Sequence, residues 1–245
     1  MTGSAASAKL RLMRRVILSS LLLVMVGSQS RSSARDTDSF VQRYLRMEIP
    51  IESPTRFAHE YYILAADAQI PPALFQLLSD ETQRGYWEDA FTALGIIGSV
   101  DRARFPFDQL AAAVLRLESK RFTLEGAEFF LALDSAYRAV GRYGGAQAEE
   151  FLWKRLDAGF WGAAVPRHVW KYSVGSAVSI ETGQSKAVYG LGMIVTPALR
   201  QRLVALAETP SVDPILLSAT RIALESWDLE KELLEIRQAA ANSLK

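Results

Sequence analysis

Ala90-Phe91-Thr92-Ala93-Leu94-Gly95-Ile96-Ile97-Gly98 is the stretch on which the fold turns. It returns at 136–144 as Ala136-Tyr137-Arg138-Ala139-Val140-Gly141-Arg142-Tyr143-Gly144, and more loosely at 187–195 as Ala187-Val188-Tyr189-Gly190-Leu191-Gly192-Met193-Ile194-Val195. Recurrence at intervals near 50 residues is the signature of a stacked array. Ala90, Ala93, Leu94 and Ile97 fall at i, i+3, i+4 and i+7, one face of a helix. Ala136, Ala139, Val140 and Tyr143 repeat that spacing, as do Ala187, Gly190, Leu191 and Ile194. Gly95 and Gly141 cost about 1 kcal/mol each against alanine inside a helix, so close packing by a neighbouring helix is the expected compensation. Gly98 and Gly144 stand where the apolar period stops, and read as helix-ending residues with positive φ.

Working outward, the first repeat predicts a helix from about 86 to 97 and a second from 107 to 117, with Leu110, Ala113, Val114 and Leu117 inward. The second predicts helices over 123–143 and 146–156, the latter with an inward stripe of Ala148, Phe151, Leu152 and Arg155. Pro71-Pro72 opens a short helix over 73–78, after a helix from Ser53-Pro54 with Ala58, Tyr61, Tyr62, Ala65 and Ala66 on its stripe. The third repeat predicts 184–195 and then 198–207 behind Thr196-Pro197. Asp213-Pro214 starts another helix, with Ile215, Ala219, Ile222 and Ala223 inward. Asp228 is placed to cap a final helix over 229–242 with Leu233, Ile236 and Ala240 on one side. Its other positions are mostly charged or polar, as suits a capping unit.

From 159 to 186 the helical period is lost. Glycines and Pro166 punctuate the stretch, Val174 to Ile180 reads as a short strand, and Phe160, Trp161, Trp170 and Tyr172 crowd the first part. Aromatics and arginine dominate interface hot spots. Phe160, Trp161, Arg167, His168, Trp170, Lys171 and Tyr172 are therefore the candidate partner-binding residues, against a competing reading in which the aromatics fill the core. Arg138 and Arg142, stacked at i, i+4, offer a face to an acidic partner, but paired arginines on a helix are ordinary surface features.

The N-terminus carries an address rather than a fold. Lys9, Arg11, Arg14 and Arg15 precede an apolar run from Val16 to Val26, and Val26-Gly27-Ser28 offers small residues for cleavage. Residues 1–28 thus read as a signal peptide, and the expectation is export to the periplasm or beyond. An uncleaved segment would anchor the chain to a membrane instead. Residues 29–52 read as a disordered lead-in with a short helix, and 53–245 as the repeat domain. The whole chain has 28 basic and 27 acidic residues and no cysteine. All four basic residues of 1–28 leave with that segment, so the remainder is slightly acidic, which argues against nucleic acid as partner. Without cysteine there is no disulfide, thiol nucleophile or thiolate metal site.

The search for chemistry yields no catalytic, metal or cofactor-binding residues. His59 and His168 are the only histidines, and neither has a metal-ligand spacing. Gly183-Gln184-Ser185-Lys186-Ala187 imitates a nucleophile elbow, but that motif needs a strand before its serine and a histidine after it. No histidine follows Ser185.

The glycine-bearing repeat followed by a loop and an apolar helix resembles a HEAT repeat of the short bacterial kind. The resemblance covers 86–156 well, 184–207 fairly and 213–242 weakly. It implies an all-α fold: an α-solenoid of antiparallel helix pairs, HEAT-like or armadillo-type, stacked right-handed, with one irregular insertion at 159–186. It implies no catalytic residue and no cofactor. The expected role is a non-enzymatic scaffold or adaptor for a protein or peptide. The alternative is an enzyme or accessory subunit of the HEAT-like lyase type, with a small ligand in its concave groove.

Overall fold

The computed structural model describes Ala68 and residues 70–120, 126–162, 176–210 and 212–243. Among the described residues all regular structure is helical. Ten α-helices follow in order: α1 Ile70–Ser79, α2 Trp87–Gly98, α3 Phe107–Ser119, α4 Gly126–Tyr143, α5 Ala146–Trp153, α6 Ala158–Gly162, α7 Ser176–Gly192, α8 Pro197–Ala207, α9 Pro214–Glu225 and α10 Trp227–Ser243. Short 3₁₀ turns cover Glu81–Tyr86, Arg102–Arg104 and Lys154–Leu156.

The recurring stretch forms the spine. α2 packs on α4, α4 on α7, and α7 on α9. Glycines set the distance. A methyl group at Gly95 would stand 2.6 Å from the Cα of Ala139, and one at Gly141 would collide with the carbonyl oxygen of Gly190. Backbone against backbone is an approach that only glycine permits, and the packing lost with any side chain explains its place mid-helix. Leu94, Val140 and Leu191, the residues at the centre of each copy, are fully buried. Gly144 has the expected positive φ of 69°. Gly98 does not: it is the last residue of α2, and its missing side chain makes room for the ring of Tyr143.

The remaining helices cover the spine. α3 and α5 lie on α4, and α8 lies on α9. Their starts obey the sequence signals. Thr196 accepts a hydrogen bond from the N–H of Leu199, and Asp213 from those of Ile215 and Leu216, each with proline following as the first helical residue. A run of aromatic edges joins α1, α3, α4 and α5: Phe75 on Phe105, Phe105 and Phe107 on Tyr143, Phe107 on Phe151. Arg102 closes the end of α4, its Nε donating to the carbonyl of Tyr143 at 3.0 Å, where a cation complements the helix dipole.

Three expectations need correction. α7 begins at Ser176, so residues 176–186 are helix rather than the second half of an irregular insertion. The strand placed over Val174 to Ile180 is therefore helix from Ser176 to Ile180. Ser, Val, Ile and Thr are mediocre helix formers, so the composition of this opening read as strand-like. In α9 the buried face is Leu216, Ala219, Thr220 and Ala223, while Ile215 and Ile222 are exposed. The stripe is rotated by one residue from that expected, because Thr220 satisfies its own hydroxyl by donating to the carbonyl of Leu216 and so can enter the core. Finally, α10 starts at Trp227, and Asp228 lies in its first turn rather than at its cap. The proposed lead helices before residue 68 lie outside the described residues, as does residue range 1–28.

Candidate functional site

Two charged clusters meet on α4, one buried in the core and one along a polar face. The first is built from Tyr137 on α4, Glu118 at the end of α3 and Arg155 in the turn after α5, all nearly inaccessible to solvent. Arg155 donates from Nε to Oε1 and from Nη2 to Oε2 of Glu118, both at 2.9 Å, while its Nη1 donates to the carbonyl of Phe151. The Tyr137 hydroxyl donates to the same Oε1 at 2.7 Å. The guanidinium also lies 3.5 Å from the centre of the Phe151 ring and 4.8 Å from that of Phe160. A fork-on-fork pair with every member hydrogen-bonded is the arrangement in which buried charge is tolerated. Burial, and next the charge of Glu118, push the Tyr137 phenol well above its ordinary value of 10.0.

Trp161 completes this cluster. Its indole is 2% exposed, donates to the carbonyl of Arg155 at 2.7 Å and meets the ring of Tyr137 edge-on. Gly183 on α7 lies beneath it; a Cβ there would be 2.6 Å from the indole. Gln184 adds a hydrogen bond to the carbonyl of Leu156 at 2.6 Å. Trp161 is thus core filling, not a surface contact. Phe160 is half-buried, its edge against Trp161. Arg167, His168, Trp170, Lys171 and Tyr172 lie outside the described residues. Ser185 sits mid-helix and buried in α7, which is not the strand-to-helix turn of a nucleophile elbow.

The second cluster follows the helical spacing of Asp134, Arg138 and Arg142 along α4. Arg138 pairs with Asp134 four residues earlier, Nε to Oδ2 at 2.9 Å, so the acid that this arginine needs is supplied by its own helix. Across from them on α7 stand Lys186 and Tyr189. Lys186 Nζ is 3.4 Å from Asp134 Oδ1, near enough for charge attraction yet without a hydrogen bond, and Oδ1 is buried without one. Arg138 and Lys186 flank the Tyr189 ring at 5.0 and 5.4 Å from its centre. At the far end α10 contributes Glu230 and Arg237. Arg142 Nη2 reaches Glu230 Oε1 at 3.4 Å, and Arg237 is 4% exposed.

This second face carries four cations against two carboxylates. Two of its donors, the Nε groups of Arg142 and Arg237, are buried without a hydrogen-bond partner. Burial, and next the charge of Arg142, lower Arg237 to about 10. The sequence pointed to Arg138 and Arg142 as a pair facing outward but missed Lys186, Glu230 and Arg237. The available signal was Arg237 itself: with Leu233 and Ala240 it shares the face of α10 that turns inward, where a lone arginine needs a partner.

Among the described residues, no group of three His, Asp or Glu side chains is placed to hold a metal, and no helix is long and apolar enough to cross a membrane. No protein-family model matches the chain, and none of the curated proteins or solved structures matches it.

Proposed function

We propose that this chain is an exported, non-enzymatic helical-repeat protein of HEAT-like solenoid type, which binds an acidic segment of another protein along α4 and α7. The observation that carries this reading is the excess of cations on that face: Arg138, Arg142 and Lys186 against Asp134 and Glu230. It occurs on a chain that is slightly acidic once residues 1–28 are set aside. Charge of one sign concentrated on one face steers an oppositely charged partner to it. The partly buried Tyr189, near two cations, adds an amphipathic contact of the kind found at interface centres.

The repeat architecture is supported by the chain-order packing of α2, α4, α7 and α9 through the recurring stretch. Export rests on the basic and apolar pattern of residues 1–28. Among the loop residues, Arg167, His168, Trp170, Lys171 and Tyr172 stay candidates for partner contact on the sequence argument; Trp161 does not. The test is charge reversal at Arg138 and Lys186 together, in protein isolated from its native host. The reading expects a salt-sensitive partner that is retained by the wild type and lost by the double variant when both are compared below the variant's melting transition, which the loss of both partners of Asp134 lowers. A double variant that keeps the same partner at the same salt would refute it.

A further inference from the structure

We infer that the end of the polar face, between α4 and α10, is a binding site for one small oxyanion, a phosphate or a carboxylate, held by the guanidinium groups of Arg142 and Arg237. The inference stands apart from the protein-binding reading, since it needs no protein partner. It begins with unsatisfied donors. Buried polar groups in folded proteins nearly always have partners, and each exception asks for a cause. Here two exceptions act on each other: the Nε–H of Arg142 and the Nε–H of Arg237 are both buried without an acceptor, and the charge of Arg142 is felt at Arg237.

Charge points the same way. Among the described residues Glu230 is the carboxylate paired with this end of the face, 3.4 Å from Arg142. Two guanidiniums against one carboxylate leave an unbalanced positive charge on side chains that are 15% exposed for Arg142 and 4% for Arg237. An unpaired charge in such surroundings is strongly unfavourable, and a bound anion removes both defects at once. Guanidinium groups match planar or tetrahedral oxyanions through paired N–H donors, so a phosphate or carboxylate fits better than a halide. The contrast with Arg155 shows that this fold can satisfy a buried guanidinium completely where no ligand is needed. The side chains of Arg142 and Glu230 keep 15% and 10% of their exposure, so this end of the cluster reaches solvent.

The experiment is thermal unfolding of the full chain in inorganic phosphate, in acetate and in chloride, at matched ionic strength. A single site raises the melting temperature in a saturable way, by about 3–6 °C at an anion concentration roughly tenfold above Kd. A rise specific to phosphate identifies a phosphate site. An equal rise in acetate identifies a site for a carboxylate, such as an acidic side chain or chain end. Arg237→Met should abolish the response. If that variant does not fold, Arg142→Gln, at the more exposed member, should weaken the response at least tenfold in anion concentration. Arg221→Gln, on the exposed face of α9, should leave it intact. The inference is overturned if neither anion outperforms chloride, or if the response survives unchanged in both Arg142→Gln and Arg237→Met.

Discussion

The two charged clusters on α4 use the same residue types and reach opposite outcomes. Around Glu118 one guanidinium meets one carboxylate in a two-pronged pair, the phenol of Tyr137 takes a further acceptor site, and Trp161 shields the turn that follows. Around Glu230 one guanidinium, that of Arg142, reaches the carboxylate at 3.4 Å, and the Nε–H groups of Arg142 and Arg237 are left without acceptors. Depth does not distinguish them, because Arg155 and Arg237 are each 4% exposed. Completeness does. The first cluster is a fastening between α3, α4 and the turn after α5; the second leaves the Nε–H groups of Arg142 and Arg237 without acceptors.

Breaking the fastening should have the largest effect. Arg155→Met strands Glu118 in the core and should lower stability by about 3–5 kcal/mol in urea unfolding. Replacing both, Glu118→Leu with Arg155→Met, should recover part of that loss, since an apolar pair removes the stranded charge while the buried Tyr137 hydroxyl loses its acceptor. Next comes the spine. Gly190→Ala places a methyl group 2.5 Å from the carbonyl oxygen of Tyr137 and should cost about 1–3 kcal/mol by forcing α4 and α7 apart. Arg237→Met should behave oppositely to Arg155→Met: in chloride its stability should equal the wild type's or exceed it by up to about 1 kcal/mol, because no partner is stranded.

A smaller effect comes from pH. The folded state holds Tyr137 neutral, with its pKa raised above 10.0 first by burial and then by Glu118. Its contribution is complete below pH 10 and is lost as pH rises beyond that value, because the unfolded chain ionises first. Arg237 acts in the other direction, since its folded value of about 10 lies below its ordinary one and its burial penalty fades above that pH. Comparing the wild type with Tyr137→Phe between about pH 9 and pH 11 isolates the tyrosine. The variant should lose less stability over that interval; equal losses would show that Tyr137 does not control the alkaline limb.

Much of the spine is legible in the sequence, since small residues at helical spacing require a close neighbour and Gly95 and Gly141 meet theirs in Ala139 and Gly190. Helix starts at Thr196 and Asp213 were legible for the same local reason. The failures were tertiary. Gly183 read as punctuation because a sequence does not show that an indole will lie over it. Arg155 on an inward stripe called for an acid, yet Glu118 is 37 residues away, beyond the reach of any local pattern. Glu230 is farther still from Arg142, at a separation of 88 residues. Charged sites assembled from three helices leave only single odd residues in each helix, and Arg237 was one of them.

The difference between a finished and an unfinished guanidinium can be watched directly. In a ¹⁵N spectrum of the arginine Nε–H groups, titration with inorganic phosphate at constant ionic strength should move the Arg142 and Arg237 signals together along one saturable curve. The Arg155 signal, whose donor is already held at 2.9 Å by Glu118, should stay in place. Arg142 and Arg237 signals that remain still, or that move no more than that of Arg155, would contradict the account.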